Sequence, residues 1–366
     1  MRILDRYVLK SVLSVFLTCL FTFLFLYIII DVVSTLDDIL KQKVNIYVLL
    51  QYYASYLPII FVQVAPFSCL LSTIYTFGKL NRSNELIAMR ASGLSIFQIT
   101  KTAIIFGLII SIFVFWVNDR FVPPSIALTK RIKDQMETGT KKSRDKDYET
   151  ITNVSMYGMH NRLFFVNKFS LALNSMEGII ILEHDRRQDI TRKIVAAKGV
   201  YKDGHWIFYQ CVTYNLDTNG QLIGEPHYLE EEAMDIQDTP RDFLNQRQRP
   251  ESMTIAQIND YINKLSSSGA TTVIRNLKVD LYRKFADPLT SLIIILLGIP
   301  FSMKIKKRAA GLASLGLSII MGFLYYVLNA VGLALGKGGI IIPIAAVSLS
   351  HTVALITSLH LINDMS

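Results

Sequence analysis

Charge is in short supply in this chain: Asp, Glu, Lys and Arg make up 18% of 366 residues, against 51% apolar residues and a mean hydropathy of +0.36. Soluble proteins of this length carry closer to a quarter charged residues, so the composition excludes an ordinary globular enzyme and points into a membrane. Cysteine is scarce as well. Cys19 and Cys69 lie inside apolar runs and Cys211 stands alone in the polar middle, so neither a disulfide framework nor a thiolate metal site is spelled. The usual catalytic and nucleotide-binding signatures are missing. Gly332 to Gly338 reads G-L-A-L-G-K-G, one residue short between its glycines and without Ser or Thr after Lys337, which is not a phosphate-binding loop. H-E-x-x-H, G-x-S-x-G and S-x-x-K have no plausible context. His351 and His360 are nine residues apart, which does not stack them on adjacent turns of a helix, and ionisable residues inside the apolar runs are nearly absent, leaving Asp31 and Asp287 at their outer ends. The expectation is a protein without catalytic residues, metal or cofactor of its own.

What the chain does have is six apolar runs: Ser11–Ile30, Val48–Gly78, Thr102–Asn118, Phe285–Met303, Ala309–Gly336 and Ile340–Ile362. Each has the length needed to cross a hydrocarbon core of about 30 Å as a helix. Ser11–Ile30 follows Arg2, Arg6 and Lys10 without a small-residue cleavage site, so it reads as a retained anchor. The net charge of +9 comes from Lys and Arg in short loops beside these runs, the positive-inside pattern rather than a nucleic-acid face. Both termini and the loops after the second and fourth runs are therefore expected inside.

Between the third and fourth runs the texture changes. From Asp119 to about Lys278, short β-rich runs such as L163-F-F-V, I179-I-I-L and W206-I-F-Y alternate with turn signals at Asp203-Gly204 and Asn219-Gly220, and a helix is expected at Thr254–Ser267. This predicts a sandwich or jelly roll on the outer side. Its aliphatic and aromatic runs serve either as a core or as a lining for acyl chains. In the fifth run, Ala310, Ser314, Ser318 and Gly322 recur at intervals of four, a small-residue ladder expected at a helix interface. Lys41, Lys43, Arg283 and Lys284 sit near the outer membrane level, placed either to meet a phosphate headgroup or to snorkel. The apolar spans favour an amphiphile over a sugar or ion as cargo.

The stretch Lys79–Lys101 stands apart as a polar island on the inner side. Ser83 or Asn84 is a candidate N-cap, Glu85 suits the first turn, and Gly93 suits the C′ position of a helix of about 9 residues. Leu86, Met89 and Arg90 fall along one side of it. Such a helix either rests among headgroups or docks in a groove of a soluble partner. A permease without its own nucleotide site needs the second arrangement, with Glu85 as the charged contact and Leu86 and Met89 as the apolar ones.

These residues carry a resemblance. L4-D-R-Y, R82-S-N-E-L-I-A-M-R-A-S-G, Y261-I-N-K-L-S-S-S-G, L297-G-I-P-F-S and G322-F-L-Y-Y-V-L resemble the LptF/LptG family of lipopolysaccharide-export permeases, the LptG type more closely. The resemblance spans the whole chain. It implies an α-helical membrane protein with six transmembrane helices and an inserted periplasmic β-jellyroll domain, divided as residues 1–118 with a coupling helix near 83–93, residues 119–278, and residues 279–366. It also implies an ABC-type exporter in the bacterial inner membrane, in which two such permeases sit on an LptB-type ATPase dimer and pass lipopolysaccharide toward LptC and LptA. Glu85 then matches the acidic coupling position, with Leu86, Met89, Arg90 and Ser92 beside it, and spans one and five match the lateral gate and subunit interface. One departure is that Asp31, Asp37 and Asp38 precede Lys41 where the LptG type tends to carry basic residues. The rival expectations are a membrane-anchored receptor or assembly protein and a permease for another amphiphile.

Overall fold

The computed structural model describes residues 3–42, 44–138, 150–159, 161–185, 189–202, 204–217, 220–234, 236, 238–240, 243, 250–266, 270–304 and 310–363. The chain divides into two compact units, Met1–Glu137 with Lys278–Ser366, and Thr138–Leu277.

The first unit is helical: α1 (Ile3–Ser34), a short α2 (Leu36–Lys41), α3 (Ile46–Arg82), α4 (Glu85–Ala91), α5 (Ile96–Arg120) and α6 (Val122–Thr138). After the inserted unit, whose own helix α7 (Ile255–Leu265) is discussed below, come α8 (Thr271–Lys304), α9 (Ala310–Lys337) and α10 (Pro343–Asn363). Six of these, α1, α3, α5, α8, α9 and α10, are long and apolar enough to cross a membrane. A helix is the natural form for such runs, since it satisfies its own backbone groups where no water reaches. α3 is the central element. One buried cluster joins Val8, Val12, Phe16 and Leu20 of α1 to Ile60, Cys69, Phe77 and Leu80 of α3, Ile96, Ile99 and Phe106 of α5, and Ile295, Ile299 and Met303 of α8. A second joins Leu70 and Ile74 of α3 to Ile294 and Leu297 of α8, Tyr325 of α9 and Ala354 of α10. Of the buried hydroxyls on α3, Ser68 donates to the Val64 carbonyl at 3.0 Å and Thr73 to that of Cys69 at 2.8 Å, whereas the Thr76 hydroxyl is buried without a hydrogen-bond partner among the described residues. Residues 119–137, expected to open the β domain, belong to the helical unit instead: α5 runs to Arg120, and Ile132 and Met136 of α6 pack with Tyr52 and Tyr53 of α3.

The second unit is the expected β domain. Its strands, β1 (Thr150–Gly158), β2 (Arg162–Ser170), β3 (Ser175–His184), β4 (Ile190–Lys202), β5 (His205–Asn215) and β6 (His227–Met234), form one antiparallel sheet in sequence order. Among the described residues there are no crossover connections of the kind that define a jelly roll. The sheet is nevertheless folded. Four of its ladders skip the same row, the pairs Asn167/Gly178, Gly178/Ala197, Ala197/Gln210 and Gln210/Glu230. On either side of this row the buried face changes phase. In β2, Phe164, Val166 and Phe169 are buried, so the gap widens from two residues to three across Asn167. β3 does the same at Met176 and Ile179, β4 at Ala196 and Gly199, and β5 at Phe208 and Cys211.

A slip of one residue turns a strand's side chains to the opposite face. Because the strands slip together, the result is a crease across the sheet that lets both halves serve one core. Gly178 and Gln210, both in the skipped row, have φ of +64° and +52°, a left-handed backbone that interrupts the strand alternation while the pairing register continues unchanged on either side. The core so enclosed contains Phe164, Phe169, Trp206, Phe208 and Phe243, with the Trp206 indole donating to the Asp238 carbonyl at 2.7 Å. α7 follows, opened by a capping box between Thr254 and Gln257.

Two expectations follow. In Gly178→Ala the new Cβ would fall 2.5 Å from the Asn167 amide nitrogen at a positive φ, so the β unit should lose about 1–3 kcal/mol. Thermal unfolding followed by Trp206 fluorescence should show a lower midpoint, partly recovered by Asn167→Ala. Second, burial, with Glu232 beside it, pushes the Cys211 thiol from 9.0 up to about 11. The folded state holds this proton more tightly than the unfolded state, so the contribution is complete below pH 9 and lost as pH rises through about 11. Cys211→Ala should flatten the fall of the unfolding midpoint across that interval.

Candidate functional site

The turn after α3 is built by its sequence. Ser83 caps the helix, and Asn84 then takes a left-handed conformation at φ 60°, which Asn tolerates better than most residues. That residue separates the two helices, and α4 starts at Glu85. Asn84 stands in the N-cap position, as one of the two candidates, but makes no side-chain cap bond. At the other end Gly93 has φ 84°, its N–H donates to the Arg90 carbonyl at 2.9 Å, and the Leu94 N–H donates to the Met89 carbonyl at 3.3 Å. These two bonds are the paired closure of a Schellman motif, which requires a left-handed residue at this position. A Ser95/Gln98 capping box then starts α5.

The handle so formed is a seven-residue helix, α4, with two unlike faces. Leu86, only 6% exposed, belongs to the cluster of Val8, Val12, Leu80, Ile96, Ile99 and Met303, and Met89 packs against that cluster. Leu86 and Met89, grouped with Arg90 by the sequence pattern, therefore fasten α4 to the bundle, while Arg90 lies outward. Outward with it lie Ala88, Ala91, Ser92 and Ile87, the last 51% exposed. Ser92 also donates to the Met89 carbonyl at 2.7 Å. Ile87 was not singled out by sequence, although an apolar residue next to a buried one on so short a helix must point elsewhere.

Glu85 is held from two sides. The Ser83 hydroxyl donates to Oε1 and the Tyr7 hydroxyl of α1 to Oε2, both at 2.8 Å. Close by on α1, Asp5 lies 3.4 Å from the Lys101 ammonium and accepts from the Thr102 hydroxyl at 3.3 Å. The Asn81 amide donates to the Met303 carbonyl at 2.8 Å, bringing the end of α8 to the same place. No sequence signal joined Tyr7 to Glu85, which are 78 positions apart.

The other candidates are placed differently from one another. Lys41 is exposed and lies 3.7 Å from Asp37, and Lys43 falls outside the described residues. Arg283 pairs with Asp287 at 2.9 Å, and Lys284 is buried at 7% exposure. Asp31 accepts the Tyr53 hydroxyl at 3.0 Å, beside the Tyr27–Tyr56 hydroxyl pair. In the fifth-span ladder the side chains of Ala310 and Ser314 lie outside the described residues, while Ser318 is buried. A Cβ on Gly322 would sit 3.4 Å from Phe67 and 3.5 Å from Leu70, so its close contact is with α3 of the same chain. The outward face of α9 is instead Ile319, Ile320, Phe323 and Leu324.

His351 of α10, set aside by sequence, sits in a buried polar group with the Ala286 carbonyl at 2.9 Å and the Tyr325 hydroxyl at 3.2 Å. Tyr325 lies 3.0 Å from Thr290. The carbonyl only accepts, so Nε2 carries a proton. This group ties α8, α9 and α10 together.

Truncating the inward face of α4 should matter more than truncating the outward one. Leu86→Ala is expected to remove about 2–4 kcal/mol and lower the melting midpoint of the detergent-solubilised chain, while Ile87→Ala should leave it within the range of a surface change, about 0.5 kcal/mol.

Comparison with known proteins agrees with this architecture. The family model for the lipopolysaccharide export system permease LptF/LptG matches residues 6–364. The chain is also 22% identical over 346 residues to the lipopolysaccharide export system permease protein LptG of Haemophilus influenzae, covering 94% of this chain and 92% of that protein. With six apolar helices, an inserted antiparallel sheet and a family match across nearly its whole length, the chain belongs to the LptF/LptG family of lipopolysaccharide export permeases.

Proposed function

We propose that this chain is the permease subunit of an ABC-type exporter that extracts lipopolysaccharide from the inner membrane and passes it to a periplasmic bridge, with a separate cytoplasmic ATPase supplying the energy. The observation that carries this reading is the two-faced handle. One face of α4 is locked into the bundle through Leu86 while Ile87, Ala88, Arg90, Ala91 and Ser92 are left outward. Lys79, Arg82, Arg90 and Lys101 cluster at this end, which makes it the cytoplasmic one by the positive-inside rule. A short helix with an outward apolar residue and rigid anchorage suits docking into a groove of an LptB-type ATPase dimer. A floating interfacial helix would need neither the Schellman closure nor the Glu85 contacts.

The cargo reading rests on other surfaces. Along α1, Leu13, Leu17, Phe21, Phe25 and Ile29 are exposed, and α9 exposes Ile319 and Phe323. Two such helices, facing a second LptF/LptG-type permease, would bound an apolar cavity for acyl chains. In the sheet, Phe165, Ile180, Val195 and Val212 form an apolar row on the face opposite the core and line a cavity of about 370 Å³ with Asn167 and Gln210. This row would receive acyl chains on the way to LptC and LptA. Of the headgroup candidates among the described residues, exposed Lys41 is the best placed to meet a phosphate.

Glu85→Ala and Ile87→Asp test the reading. Each should lower ATP-dependent lipopolysaccharide release from proteoliposomes roughly tenfold, the effect of losing one central contact, at unchanged protein level. Full release by both variants would sink the docking role. Recovery of the chain from mild detergent without any P-loop ATPase, under conditions that preserve other ABC complexes, would favour a receptor or assembly protein.

A further inference from the structure

Glu85 is the residue through which the handle is expected to meet the ATPase, yet each of its carboxylate oxygens already holds a hydroxyl of its own chain. The Ser83 hydroxyl comes from the same turn, but the Tyr7 hydroxyl comes from α1, at 2.8 Å. Tyr7 is 47% exposed, so its ring adds little to the core, and the hydroxyl is its specific tie to the handle. Two residues earlier, Asp5 is 9% exposed and fastened to Lys101 and Thr102 at the start of α5. The first turns of α1 are thus bound on one side to α4 and on another to α5, with Val8 and Val12 buried between the polar contacts. Beyond this point the outer face of α1 is open, with Leu13, Leu17, Phe21, Phe25 and Ile29 exposed. The inner face of α1 packs against α3 as far as Asp31, so its first turns are the part of the helix that touches the handle.

Resting on the coupling reading above, we propose that Tyr7 is the positioning residue of the handle. Its hydroxyl aims Glu85 while the handle is undocked, and it is displaced from Oε2 when a cationic side chain of the ATPase takes that oxygen. A guanidinium or ammonium forms a charge-assisted bond to a carboxylate that outcompetes a single neutral phenol. The exchange needs no unfolding, because Ser83 keeps Oε1 in place. Its consequence is that the docking state of the handle is passed to α1 through the loss or return of one hydrogen bond, as a coupling between two sites requires.

The test is a double-mutant cycle on the complex purified with its ATPase and reconstituted in proteoliposomes that contain lipopolysaccharide. ATP hydrolysis and lipid release are both measured, and their ratio is the readout. Tyr7→Phe should leave assembly, melting midpoint and hydrolysis near wild type and lower lipid released per ATP about three- to tenfold, the net scale of one solvent-exposed hydrogen bond. Tyr7→Gln, which restores an N–H donor, should recover part of that ratio. In a Glu85→Ala background Tyr7→Phe should have no further effect. A normal ratio for Tyr7→Phe alongside an uncoupled Glu85→Ala overturns the Tyr7 assignment and leaves the coupling reading standing. An equal fold-loss from Tyr7→Phe in both backgrounds marks a merely structural role and overturns it as well. Full coupling in Glu85→Ala removes the coupling reading, and the Tyr7 assignment with it.

Discussion

The burial of Leu86 is the contact on which one whole end of the bundle depends. A helix of seven residues does not hold together alone in water, because nucleation exceeds what so few propagation steps return. α4 exists as a helix because Leu86 and Met89 join the cluster shared by α1, α3, α5 and α8. Full burial of one leucine is worth about 1.5–3 kcal/mol, enough to select a single rotation of so small an element. That rotation then determines everything else at this end. It turns Ile87 and Arg90 away from the bundle, brings Glu85 beside Tyr7, and directs the chain through Gly93 into α5.

The sheet answers a different constraint. A flat six-stranded meander cannot enclose a core with one face. The crease supplies the second wall. Its trace is visible in the sequence as apolar-x-x-apolar in place of strict alternation: V166-N-K-F, M176-E-G-I, A196-A-K-G and F208-Y-Q-C. Each alone looks like an imperfect strand. Only the register, which places all four at one row, reveals that they are a single feature. Strand existence was therefore legible from composition and turns, whereas the bend was not, because pairing register is a long-range property.

The same division runs through the candidate site. Gly93 and Glu85 were readable because caps and first-turn carboxylates are local physics. The rotation of α4 was not, since L-I-A-M is apolar on every side and only the neighbouring helices decide which residue goes in. Of the small-residue ladder, Ser318 is buried and Gly322 takes its contact from Phe67 and Leu70 of the same chain. Spacing shows that a helix face is approached closely and is silent on which helix approaches. The start of the β domain is not legible at Asp119 because α6 is polar on balance, and its apolar positions Ile132 and Met136 meet tyrosines of α3 that composition does not connect to it.

At the opposite end of the bundle from the handle, position along the sequence also failed to rank the basic residues, and their acid partners do so instead. Arg283 is tied to Asp287 at 2.9 Å and Lys337 to Asp280 at 2.8 Å, both with half-buried members. An anion approaching either must leave an acid without its cation in a poorly solvated place, which is expensive. Lys284 is itself buried. The Lys41–Asp37 pair is different: at 3.7 Å with side chains 74% and 88% exposed, it is screened by water and contributes at most about 1 kcal/mol. A phosphate can replace Asp37 there with little loss, because the displaced carboxylate returns to full solvation. On the proposed headgroup reading, Asp37 does not exclude a phosphate at this end, because among these cations Lys41 is the one whose described acid partner is solvent-exposed and easily given up.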